Sequence, residues 1–143
     1  MSAGLASAAA PERGTIQFNR DIRPILSQNC FKCHGPDNDA READLRLDVK
    51  EGLFGAVSSG VAVVPGKTAQ SAVVTRLKAS DPDLRMPPLD SGKKLSAAEI
   101  ELIERWIAGG AAWQGHWAYI PPVRPDVPTA EPMQSGIARN EID

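Results

Sequence analysis

A chain of 143 residues, 42% hydrophobic and 24% charged, has the composition of one folded domain, which excludes a wholly disordered polymer. Its net charge of -2 comes without any Lys/Arg block, so a nucleic-acid footprint is absent. No apolar run approaches the roughly 18 residues of a membrane span, and 12 Gly with 12 Pro predict abundant loops between short helices.

Residues 1–14 are mostly Ala, Ser and Gly. They lack a basic start and a strong apolar stretch, so they are not an intact signal peptide. The segment reads as a disordered remnant outside the fold, the tail of a leader or of an expression sequence. A first helix is expected over 17–30. Asn19 is its candidate cap, Asp21 lies in its first turn, and Pro24 comes early enough to be tolerated. Ile22, Ile25 and Leu26 form its apolar stripe, with Cys30 on the same face.

Residues 35–47 are polar and turn-like, and 48–54 make a short helix. The valines at 61, 63 and 64, between Gly-rich flanks, point to a short strand or hairpin over 55–66. Thr68 can cap a helix over 69–79 built on Val73, Val74 and Leu77. A proline-rich loop over 80–94 carries Met86. The last helix begins at a capping box made by Ser96 and Glu99 and buries Ile100, Ile103, Trp106 and Ile107. Glu101 and Arg105 are spaced to pair on its wet face, and Gly109 and Gly110 stop it. An aromatic patch follows at Trp113, His116, Trp117 and Tyr119. Residues 120–143 then read as a proline-rich linker. The expected folded unit spans 15–119.

The two cysteines are three positions apart, too close for a relaxed disulfide loop, so they read as a site. Cys30-Phe31-Lys32-Cys33-His34 is a CxxCH pentapeptide, the attachment signature of c-type haem. One turn separates the thiols, which lets each reach one vinyl group of the same porphyrin. His34 follows directly and can stand below the iron as proximal ligand, its other ring nitrogen held by an acceptor. Zinc is the competing reading, with Cys30, Cys33, His34 and His116 as the available ligands. A thioredoxin-like redox pair would need a βαβ context.

The leading distal ligand is Met86, in Leu84-Arg85-Met86-Pro87-Pro88. A thioether bonds iron and favours its reduced form, and the prolines stiffen the loop. His116 is the alternative. Arg76, Lys78 and Arg85 lie near enough in sequence to meet haem propionates, although surface charge is their default role. Haem would also complete the core of a loop-rich chain, with Ile25, Leu26, Ile103, Trp106 and Ile107 lining or buttressing it.

Phe18 to Trp117 resembles the planctomycete-type cytochrome c domain, a relative of the class I cytochromes c. The resemblance rests on Phe18-Asn19-Arg20-Asp21-Ile22-Arg23-Pro24-Ile25-Leu26, the CxxCH, Leu45-Arg46-Leu47-Asp48 and Pro65-Gly66-Lys67 before Ser71. It continues through Arg85-Met86-Pro87-Pro88, Leu95-Ser96, Trp106-Ile107-Ala108-Gly109-Gly110-Ala111 and His116-Trp117-Ala118-Tyr119.

The resemblance implies an all-α cytochrome c-like fold around one covalently bound haem c, with the first and last helices crossing beside it. It implies attachment through Cys30 and Cys33, and His34 and Met86 as axial ligands. Such domains stand at the N-terminus of larger exported proteins, and Arg139-Asn140-Glu141-Ile142-Asp143 reads as the start of a downstream domain. A periplasmic or otherwise exported electron carrier is therefore expected, exchanging electrons with a partner protein or with that domain. A five-coordinate haem sensor or catalytic haem is the alternative, and a zinc-binding interaction module the third reading.

Overall fold

The computed structural model describes residues 14–57, 60–116 and 118. The expected remnant, apart from Gly14, and the expected linker lie outside the described residues, as do Trp117 and Tyr119.

The chain enters through a π-helical turn, Phe18–Ile22, that runs directly into α1, Arg23–Asn29. Pro24 occupies the first turn of α1, where its missing N–H would have had no helical partner. Asn19 is not the cap. Gln17 holds that position without a side-chain bond, and its N–H goes instead to Asp21 Oδ2 at 2.8 Å. Asn19 has been drawn into a tertiary contact: its N–H donates to Gln114 Oε1 at 3.0 Å and its side-chain amide to Gly115 O at 2.6 Å.

Helix α2, Lys50–Phe54, leads into a minimal antiparallel hairpin of β1, Ala56–Val57, and β2, Gly60–Val61. Ala56 pairs with Val61 and Val57 with Gly60. The expected hairpin is thus present in short form. Val63 beyond it donates to Leu53 O at 3.0 Å, and Val73 donates to Ala62 O at 3.0 Å, which pins this segment between two helices.

The third helix starts later than expected. Thr68–Gln70 is a 3-10 turn, and α3 spans Ala72–Leu77 with Ser71 at its N-cap position. The reason is the fully buried Ser71 hydroxyl. It accepts from Val64 N–H at 2.9 Å and donates to Lys67 O at 2.9 Å, so it closes the 64–67 loop rather than capping a helix. Gly66 N–H then reaches Ile107 O at 2.8 Å and ties that loop to the last helix.

Helix α4, Ala97–Ala108, is the longest element, and its capping box is formed as expected. Glu99 N–H donates to Ser96 Oγ at 3.2 Å, and Ser96 N–H donates to Glu99 Oε2 at 2.7 Å. These bonds, from the Ser96 backbone and then its hydroxyl, hold the Glu99 carboxyl below the usual carboxylate range. The Glu99 carboxylate therefore contributes its full share of the cap's stability above that range and loses it as pH falls through the lowered value. Ser96→Ala is expected to cost about 1 kcal/mol at neutral pH, read from the urea midpoint, with a smaller deficit in acid.

The end of α4 differs from the expectation in one respect. Gly109 keeps a negative φ of -75°, while Gly110 at +97° and Ala111 at +50° take the left-handed region. Ala111 N–H reaches Trp106 O at 2.9 Å and Gly110 N–H reaches Ile107 O at 3.0 Å, a Schellman closure with Gly110 at its left-handed position.

Phe18, Ile22, Leu53, Val63, Ile103 and Ile107 form the most deeply buried part of the core. All five side chains expected to line or buttress the haem (Ile25, Leu26, Ile103, Trp106 and Ile107) are buried. The Phe18 ring lies 4.3 Å from Trp113 and 5.4 Å from Trp106, centroid to centroid, and Phe54 joins the same cluster. This aromatic group joins the start of the first helix to α4. Glu101 and Arg105 do not pair. Lys78 instead reaches Glu104 at 2.7 Å, a link from α3 to α4. An exposed pair on one helix gains too little over side-chain entropy to hold its geometry.

Candidate functional site

Helix α1 delivers the CxxCH as a hydrogen-bonded turn at its C-terminus. Cys30 N–H donates to Leu26 O at 2.7 Å, closing the helix. Cys33 N–H and His34 N–H then both return to Cys30 O, at 3.1 and 2.8 Å. Two later segments brace the turn from outside: Glu42 N–H donates to Cys33 O at 2.8 Å, and Leu47 N–H donates to His34 O at 2.9 Å. Gly35 has no room for a side chain. A Cβ there would stand 2.1 Å from the Phe31 carbonyl oxygen, so only glycine lets the chain leave the turn along this path.

The His34 ring is oriented by the same loop. Its Nδ1 lies 3.2 Å from Glu42 O. A carbonyl can only accept, so Nδ1 carries the proton and Nε2 keeps its lone pair for a metal. Ala43 and Asp44, immediately after Glu42, hold left-handed φ values of 56° and 51°. Non-glycine residues in that region carry backbone strain, and here they reverse the chain just beyond the acceptor carbonyl. The acceptor foreseen for His34 is thus a main-chain oxygen. No side chain signals it, which is why sequence reading could not name Glu42.

Both cysteines are free of disulfides and half-buried. Burial, and then the neighbouring Cys33, push the Cys30 thiol up to about 11. Thiols of redox-active cysteine pairs are shifted the other way, because the thiolate is their nucleophile. Cys30 is a protonated thiol at neutral pH, unlike a thioredoxin-type centre.

Met86 lies in a separate loop between α3 and α4. Its N–H donates to Arg76 O at 3.0 Å, and Arg76 Nη1 returns to Leu84 O at 3.2 Å, so the loop is tied to the end of α3. The half-buried Met86 side chain lines a cavity of about 260 Å³ with Leu77, Arg85, Pro87, Leu95 and Ile100. No residue of the CxxCH turn lines this cavity. Cys30, Cys33 and His34 are therefore brought together, while Met86 occupies a hollow of its own.

Of the basic residues considered for propionates, Arg76 is spent on Leu84 O, Lys78 on Glu104, and Arg85 borders the Met86 cavity. His116 Nδ1 accepts from Ala118 N–H at 3.2 Å. Among the described residues no three or more His, Cys, Asp or Glu side chains gather as a metal site.

Residues 30–90 match the family model described as Planctomycete cytochrome C. The match begins at Cys30 and ends at Asp90, so it includes the CxxCH turn, the bracing segments at 42 and 47, and Met86. No curated protein and no solved structure matches the chain.

Proposed function

Because residues 30–90 carry a planctomycete-type cytochrome c domain, we propose that this protein is a mono-haem c-type electron carrier. The observation that carries the reading is the turn itself: two thiols one turn apart, followed by a histidine whose Nδ1 is held on Glu42 O with Nε2 left for iron. The donor set suits the group. Cys30 and Cys33 would hold one haem c covalently, His34 would be the proximal ligand and Met86 the distal one. The haem supplies one-electron iron chemistry. The chain orients the ligands, excludes water with its apolar core, and sets the potential through ligand choice and burial.

With the Met86 thioether as second ligand, the iron would be stabilised in its ferrous form and would exchange electrons without binding substrate, which suits electron relay. The role would be exercised in the periplasm or otherwise outside the cytoplasm, towards a redox partner protein or a downstream domain. A second reading, a five-coordinate haem sensor or catalytic haem, draws on one observation: Met86 faces a cavity that the CxxCH turn does not line.

The test is intact mass after acid denaturation, paired with visible spectra of reduced and oxidised protein. The expected result is the polypeptide plus one haem, with spectra of a six-coordinate low-spin iron. Pigment that extracts into organic solvent and leaves an unmodified chain would overturn the c-type assignment.

A further inference from the structure

Arg23 is the first residue of α1 and precedes Cys30 by seven positions, so the two lie on one face, about 10 Å apart along the axis. Its guanidinium sits over the Phe18 ring, 5.9 Å from the centroid. Its Nη1 is buried and has no hydrogen-bond partner among the described residues. A buried donor on a permanent cation is costly to leave unsatisfied, so the atom calls for an acceptor, and for an anion in preference to a neutral group.

The surrounding charges sharpen this. Asp48 is the nearby carboxylate, and it is already occupied: Arg46 Nε donates to its Oδ1 at 3.0 Å and Arg46 Nη2 to its Oδ2. Burial pushes the Asp48 carboxyl up, but the Arg46 bonds and the charges of Arg46 and Arg23 bring it below the usual carboxylate range. Arg46 thus takes both oxygens of the carboxylate, while Arg23 acts on it only through its charge, which leaves one positive charge over. Leu47, between Arg46 and Asp48, donates to His34 O, so this cluster rests against the backbone of the haem-attachment turn.

The other buried atom without a partner among the described residues is Asn19 Oδ1. The bond from Asn19 Nδ2 to Gly115 O fixes that oxygen as an acceptor, which calls for a water proton and repels a carboxylate. The anion is left to Arg23.

We propose that Arg23 binds a haem propionate through its unpartnered Nη1. The inference rests on the haem reading above, since haem is the one group in that reading that carries carboxylates, on the porphyrin edge away from the vinyl groups that Cys30 and Cys33 would bond. Arg23 then neutralises one of those carboxylates, and its charge favours ferrous iron.

The experiment uses the holoprotein carrying haem labelled with ¹³C at the propionate carboxyls, as wild type, Arg23→Gln and Arg23→Lys. Covalent loading is verified by mass in each sample. In redox-difference infrared spectra, a labelled carboxylate band of the wild type should be displaced from that of a water-exposed haem peptide. Arg23→Gln should move it back. Arg23→Gln should also lower the ferrous-to-ferric ratio at fixed ambient potential by about threefold or more. Arg23→Lys should restore that ratio in part, because the charge returns without the fork geometry.

Covalent haem with a wild-type band matching the haem peptide overturns this proposal alone, even if neither variant loads haem. So does an Arg23→Gln band and ratio equal to wild type. An Arg23-dependent response to added phosphate with an unmoved labelled band makes the site one for solvent anions and likewise overturns it. A wild-type chain without covalent haem removes the haem reading and this proposal together.

Discussion

Cys30→Ala combined with Cys33→Ala is expected to yield polypeptide of unmodified mass, with no pigment surviving acid denaturation. Thioether bonds survive unfolding, whereas a haem held only by His34 and Met86 leaves when the fold opens. Either single variant retains one thioether and should keep haem after denaturation, which separates attachment from simple loss of folding. The double variant should also fold poorly. In the proposed holoprotein a large apolar group would complete the core beside Ile25, Leu26, Ile103, Trp106 and Ile107, all buried side chains. Without that group apolar burial falls, while the entropy cost of ordering a loop-rich chain remains. A ligand bound only by the folded state also stabilises it by mass action, and that term disappears. Circular dichroism melts provide the check. A double variant that melts as cooperatively and as high as the haem-loaded wild type would contradict this account.

Met86→Ala is expected to abolish the far-red methionine-to-iron band of the ferric protein and to lower the potential. It should also open the iron to cyanide in the ferric state and to carbon monoxide in the ferrous state. The thioether prefers ferrous iron, so its loss favours the oxidised form. The backbone around it should survive, because the tie from Met86 N–H to Arg76 O involves no side-chain atom of Met86. Truncation enlarges an existing cavity of about 260 Å³, so a stability loss of about 2 kcal/mol or more accompanies the spectral change. His116→Ala should leave the spectrum unchanged. Reversed behaviour of the two variants would make His116 the ligand. No change in either would favour the five-coordinate sensor or catalytic reading.

Local chemistry determined much of this protein from sequence alone. The Ser96–Glu99 box needs only residues three apart, and the apolar stripe of α4 needs only helical spacing, so both were legible and both formed. The CxxCH is likewise a statement about one turn of chain, and the turn is there. The match to residues 30–90 agrees with the family resemblance read from the residues, over part of the span claimed for it.

Tertiary structure decided what depended on distant partners. Asn19 has the side chain of a cap, but Gln114 and Gly115 compete for it from 95 and 96 residues away. Ser71 rather than Thr68 leads into the third helix, because a buried hydroxyl must satisfy its own bonds before it can serve a helix end. The acceptor on His34 is a main-chain carbonyl, which every residue possesses, so no residue type could announce Glu42. The unpartnered nitrogen of Arg23 is of the same kind. An arginine is ordinary in a sequence, and its significance arises only when folding buries one donor and commits the neighbouring carboxylate to Arg46. Hydrogen-bond patterns within one turn follow from sequence because the chain itself sets the distances. Burial and satisfaction of polar atoms do not, because they depend on which distant segments arrive.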